Sequence, residues 1–254
     1  MNGDILAAKS LFMKAEYEEA AELFHELARS GDAEAAFDYG FCLWQGLGVP
    51  YDPAEAKSFF SYARDLEGGE ACYNLAMLYL HGEGVARNYK TAFNYMVASA
   101  RHGSVEAKLY LGMLYTTGYM LEPDIVGVTR IPYHKPIYRN SDTFLLVGEV
   151  PDAEADEEAR FSVVSADGTK AFEYFRSAAH SNPTYVSELV AKGQYLYAKC
   201  YVDGLGTDCD WQKGARLMLA AGRSGSAEAV AFLSEHGITP DMLLGDGRPK
   251  KPRK

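Results

Sequence analysis

Four stretches of this chain share one residue register, and that self-similarity limits the fold more than any other feature. DYGFCLWQGLGV, NLAMLYLHGEGV and LGMLYTTGYM superpose when Gly40, Ala76 and Gly112 are aligned, each 36 residues from the next. Leu43, Tyr79 and Tyr115 follow three residues later, and the loop glycines Gly46, Gly82 and Gly118 three beyond those. The run YAKCYVDGLG repeats the spacing with Ala198, Tyr201 and Gly204. Past each loop comes a second segment with its own small–bulky–small pattern. It reads Ala56, Phe60 and Ala63, then Ala92, Met96 and Ser99. It recurs as Ala171, Phe175 and Ala178, and as Gly214, Met218 and Ala221. Offsets of four and seven put the three on one helical face. Small residues there let helix backbones approach while the bulky residue fills the gap. Each copy is therefore a helical hairpin, and the expected class is all-α. Gly68, Gly103 and Gly225 stand where left-handed C-terminal caps of the second helices belong.

These residues resemble the Sel-one-like repeat, a relative of the tetratricopeptide repeat. Gly46, Gly48 and Val49, and again Gly82, Gly84 and Val85, match its G-x-G-V loop. The resemblance covers residues 33 to 226 and implies a right-handed α-α superhelical solenoid. The expected organisation is one repeat domain over 1–236, with repeats at 33–68, 69–104, 105–183 and 184–226. The first hairpin departs from the pattern. Ala8 and Ala20 lie 12 apart, against 16 from Gly40 to Ala56, so residues 4–31 read as a tetratricopeptide-like N-terminal cap. Residues 227–236 read as a C-terminal capping helix and 237–254 as a flexible basic tail.

The third repeat is interrupted. Gly118 and Ala171 stand 53 apart where 10 is usual, which makes residues 119–166 a long insertion. Four prolines and the runs DTFLLVGEV and RFSVV predict a partly β, hairpin-bearing excursion. Its patch of Arg130, Tyr133, His134, Lys135, Tyr138 and Arg139 reads first as a solvated loop with tyrosines pinning it to the helices. An anion site is the other reading.

On a helical wheel the first helices present a second face opposite the packing face. Its columns are Glu34, Glu70, Glu106 and Lys192; Phe37, Tyr73, Leu109 and Tyr195; Phe41, Met77, Met113 and Lys199; and Trp44, Leu80, Thr116 and Val202. In tetratricopeptide-like solenoids that side lines the concave surface. An apolar, acid-edged strip of Glu34, Phe37, Phe41, Trp44, Glu70, Tyr73, Met77, Leu80, Glu106, Leu109, Met113 and Tyr195 is thus the expected partner-binding site. Stacking of neighbouring first helices over Phe41 and Met77 is the competing reading.

Chemistry is hard to assemble from this sequence. None of the six histidines falls in an H-E-x-x-H motif, no cysteine pair has zinc-ligand spacing, and no G-x-S-x-G elbow is present. No catalytic residue, cofactor or metal is expected. The glycine-rich loops lack a P-loop lysine and serve as turns. A net charge of −10 argues against nucleic acid and anionic membrane surfaces as partners. Cys42, Cys72, Cys200 and Cys209 read as free thiols, and MNGDILAAKS is no signal peptide, so a cytoplasmic location is expected. Two functional classes follow. The first is a non-enzymatic scaffold or adaptor binding a protein or peptide with a basic amphipathic segment, assembling or neutralising it in the manner of an immunity protein. The second is an enzyme or small-ligand binder built on the insertion.

Overall fold

The computed structural model describes residues 2–67, 69–118, 128–129, 137–138, 165–182 and 187–239. Among them are eleven helices. They are α1 (Asn2–Met13), α2 (Tyr17–Arg29), α3 (Ala33–Gln45), α4 (Pro53–Glu67), α5 (Gly69–His81) and α6 (Tyr89–Arg101). The rest are α7 (Val105–Thr117), α8 (Gly168–Ala179), α9 (Ser187–Asp203), α10 (Trp211–Arg223) and α11 (Ala227–Glu235). The fold is all-α. Within the insertion, the described residues form one two-residue antiparallel pair, β1 (Val128–Thr129) with β2 (Ile137–Tyr138). A ladder this short does not make the insertion a β element, since an isolated two-stranded ribbon is marginal at best. The expectation of a partly β insertion is therefore unsupported. The runs DTFLLVGEV and RFSVV that prompted it lie outside the described residues, as do Gly68, Pro123 and the basic tail.

The chain divides into two compact units, Met1–Ala107 with Met120–Val163, and Lys108–Tyr119 with Val164–Lys254. In the first, α1 to α6 pack each against the next; in the second, α8 to α11 do the same, and α9 also touches α11.

Local chemistry sets the helix starts. Asp52, Asn88, Asp167 and Asp210 stand just before α4, α6, α8 and α10, and each side chain accepts the amide of the residue three further on, at 2.8 to 3.1 Å. The amide of the same four residues donates back to the carbonyl of Leu43, Tyr79, Tyr115 and Tyr201, at 2.9, 2.8, 2.7 and 2.9 Å. These four hairpins thus close through one repeated bond.

Within a hairpin the small and bulky positions are matched in size. A Cβ added to Gly40 would lie 3.0 Å from the Phe60 ring, and one on Gly112 only 2.4 Å from the Phe175 ring. Where the small residue is Ala76 or Ala198, the partner is the slimmer Met96 or Met218. All four bulky residues are buried. Between hairpins the second loop glycine does the spacing. A Cβ on Gly48 would come within 2.1 Å of the Tyr17 carbonyl at the start of α2, and one on Gly206 within 2.0 Å of the Gly168 carbonyl at the start of α8. The loop glycines expected to serve as turns also interlock successive hairpins.

Candidate partner-binding site

A helix apolar on every side belongs in the interior. In α5, all residues from 71 to 78 are buried. The expected open strip is accordingly corrected: Phe41, Tyr73, Met77, Leu80 and Leu109 are core residues, and Glu106 is buried as well. The cause is packing on more than one flank. Helix α3 lies between α2 and α4, and α5 between α4 and α6. A further side of α3 meets the neighbouring first helix, where Phe12 of α1 and Phe41 approach with ring centroids 6.5 Å apart. Burial of side chains this size contributes about 1.5–3 kcal/mol each. They hold the fold rather than a partner.

The acid column is likewise engaged by the chain itself. Glu34 pairs with Lys9 of α1. Glu106 accepts a hydrogen bond from Ser104 Oγ at 2.9 Å. Lys192, in the equivalent place on α9, lies 3.6 Å from Glu228 of α11; burial brings its ammonium down to about 7 against the opposing pull of Glu228. Glu70 is exposed.

Of the remaining strip positions, Phe37 and Trp44 are half-buried in the first unit, and Met113 and Tyr195 half-buried in the second. Tyr195 packs against the cluster formed around Met218 and Leu233. Phe37 and Trp44 both lean on the Phe60 ring, at centroid distances of 5.8 and 6.1 Å. Trp44 Nε1 donates to Glu83 Oε2, a carboxylate carried between Gly82 and Gly84 in the loop after α5. Beside them Tyr51, in the loop after α3, is 56% exposed. Its hydroxyl is raised above the ordinary phenol range by burial and then by the Glu83 carboxylate, through charge and hydrogen bonding. Two adjacent loops therefore present a pinned indole, an exposed phenol and the carboxylate they share. Tyr51 and Glu83 were not among the expected site residues, because a helical wheel leaves loops out. The available signal was the aromatic after Pro50 and the changing residue between the paired glycines (Leu47, Glu83, Leu205).

This edge offers contact area and hydrogen bonds rather than a nucleophile. All four cysteines are free. Burial, with Asp38 and Asp203 adding to it, pushes the Cys42 and Cys200 thiols up to about 12, so neither is a thiolate at neutral pH. Among the described residues, no three His, Cys, Asp or Glu side chains gather as a metal-holding group. No helix among them is long and apolar enough to cross a membrane. The side chains of the Arg130–Arg139 patch lie outside the described residues.

The family model described as the Sel1 repeat matches residues 8–32, 33–67, 69–104, 105–126, 161–183 and 191–226, and so takes in the first hairpin too. The chain is 24% identical over 231 residues to chitin synthase regulatory factor 3 of Schizosaccharomyces pombe, covering 86% of this chain and 23% of that protein. It shares its fold with a Sel1 repeat protein from Oxalobacter formigenes (TM-score 0.60, 19% identity, 86% of this chain and 49% of that one). A protective antigen of uropathogenic Escherichia coli displaying an SLR fold is similar as well (TM-score 0.64, 19% identity, 97% and 42%). The chain spans less than half the length of each of these proteins.

Proposed function

Because the chain belongs to the Sel1 repeat family, we propose that it is a non-enzymatic scaffold that binds a partner protein or peptide. The docking edge is formed by Trp44, Tyr51 and Glu83. The observation that carries this reading is the locking of Trp44 by Glu83 beside the largely exposed Tyr51. A side chain already held in place loses little rotamer freedom on binding, so its contact area converts efficiently into affinity. Tyrosine and tryptophan are the side chains most enriched among residues that dominate binding energy.

The similarity to a regulatory factor, itself named for regulating an enzyme, supports a binding role. The basic amphipathic segment expected of the partner loses its main support, because Glu34 and Glu106 are occupied within the chain. Assembly of a complex and neutralisation of a toxic partner both use such an edge, and the identity of the captured protein separates them.

The test is affinity capture from native extract with the wild-type chain and with Trp44→Ala/Tyr51→Ala, followed by titration of the captured partner. Truncation of the pair should weaken binding at least about thirty-fold, a loss of about 2 kcal/mol or more, with helical circular dichroism retained. Equal capture by both proteins, with the fold intact, would overturn the assignment of this edge.

A further inference from the structure

The second unit carries a cluster that the docking edge leaves unexplained. Phe172, Arg176 and His180 stand four residues apart on one stripe of α8 and its C-terminal end. Tyr197 and Tyr201, also four apart, face them from α9. The Phe172 ring lies 5.3 Å from Tyr197 and 5.5 Å from Tyr201, and His180 meets Tyr197 edge-on at 5.7 Å. From α10, Lys213 Nζ donates to Tyr201 Oη at 2.8 Å and sits 4.1 Å from the ring centroid. Tyr197 Oη and Tyr201 Oη are 3.3 Å apart.

Lysines recur over tyrosines elsewhere. Lys57 stands 5.7 Å from the Tyr79 ring centroid and Lys170 5.0 Å from that of Tyr115. Among the described residues neither lysine bonds the hydroxyl, so packing a cation on the ring accounts for them. The Lys213 arrangement goes further, because its donors exceed its acceptors. Two phenol protons are present, and the bond between the hydroxyls uses one. Lys213 has three protons and spends one on Tyr201. Among the described residues neither the second phenol proton nor the rest of the ammonium has an acceptor.

Charge points the same way. Arg176 and Lys213 both act on the hydroxyls, and both draw Tyr201 toward ionisation. Of the nearby acids, Glu173 pairs with Arg176 and offsets its charge, Asp203 pairs with Lys199 at 2.5 Å, and Asp210 accepts the amide of Lys213, which leaves the Lys213 ammonium as the cation on the hydroxyl pair. The rest of the acidic chain is screened beyond about 8 Å at physiological ionic strength. Lys213, Arg176 and His180 are exposed, while Tyr201 is buried beneath them.

We propose that Lys213 and the Tyr197–Tyr201 hydroxyl pair form a site for an acceptor-only anion, a side-chain carboxylate on an acidic segment of the partner protein. This rests on the scaffold reading and deepens it by naming the partner's chemistry at a second place. The Lys213 ammonium meets the charge in a charge-assisted hydrogen bond, and the free phenol proton supplies a second donor.

The test is a calorimetric titration of the full chain, at low and at physiological salt, with three probes: a capped peptide of alternating Asp and Gly, its Asn counterpart, and inorganic phosphate. Labelled tyrosine ring carbons locate the contact. The acidic peptide should bind and shift the Tyr197 and Tyr201 signals, and the Asn peptide should not. Lys213→Met should weaken it about ten-fold, in keeping with the loss of one charge-assisted bond. Tyr197→Phe keeps the ring contacts and removes only a hydroxyl; a loss of a few-fold there, with helicity unchanged, separates recognition from misfolding. Binding of phosphate without the peptide, equal binding of the Asn peptide, or affinity unmoved by Lys213→Met would each overturn the proposal. If the peptide fails while capture still depends on Trp44 and Tyr51, this site falls and the scaffold reading stands.

Discussion

The hairpins α5–α6 and α7–α8 make the same closure across very different lengths of chain. Seven residues separate the helices of the first and fifty those of the second. Yet Asn88 N reaches Tyr79 O at 2.8 Å and Asp167 N reaches Tyr115 O at 2.7 Å. Tyr79 stacks on Tyr95 at 5.7 Å and Tyr115 on Tyr174 at 5.8 Å. The same closure therefore forms whether seven or fifty residues lie between the two helices. The two differ in how the helices seat: Ala76 with Met96 in one, Gly112 with Phe175 in the other.

The strongest way to break the likeness is at that seat. Gly112→Ala would drive a methyl into the Phe175 ring at 2.4 Å, and urea melts should show a loss of about 3 kcal/mol, the upper end for overpacking. Gly40→Ala, with 3.0 Å to Phe60, should cost less. Adding Phe175→Met to Gly112→Ala recreates the pairing of the neighbouring repeats and should recover most of the loss. Additive single effects, with no coupling near 1 kcal/mol, would show that the pairs are not matched in size.

Deleting residues 121–163 leaves the third loop as long as its neighbours. Loop closure costs grow by about 0.6 kcal/mol per doubling of length, so the shortened protein should be as stable as the parent or better, by up to about 2 kcal/mol. Loss of cooperative melting would show that the insertion completes a core.

The smallest effect distinguishes the two caps by pH. The amide of Lys170, together with its ammonium, holds the Asp167 carboxyl below its ordinary value. A carboxyl so depressed stabilises the fold above its unfolded pKa of about 3.9, and the contribution vanishes as pH falls through the lower folded value. Asp167→Asn gives α8 the cap of α6, which does not titrate. Thermal melts from pH 6 to pH 2.5 should show the difference between parent and variant changing only below about pH 4. A constant offset would mean that the Asp167 charge has no part in the cap.

Much of this was open to inspection in the chain itself. The 36-residue register, the loop glycines and the small–bulky faces are local signals, each acting within a few residues of where it is written. The site was less legible. A helical wheel shows that Phe41, Met77 and Leu109 share a face, but the same face suits an open groove or a buried seam.

From the sequence alone, then, came the helical hairpins of residues 33–226 and the repeat class to which they belong, while the first hairpin, read as a tetratricopeptide-like cap, is matched by the same Sel1 repeat model. These follow from backbone hydrogen bonding, turn geometry and side-chain periodicity, which neighbours in the chain impose on one another. Only the tertiary structure decided which apolar face is covered, that Glu34 and Glu106 serve the fold, and that Trp44, Tyr51 and Glu83 meet at one edge. It also brought Lys213 onto Tyr201. Those outcomes depend on what a neighbouring helix or loop lays against each residue, and burial is a property of the packed neighbours rather than of the residue that is buried.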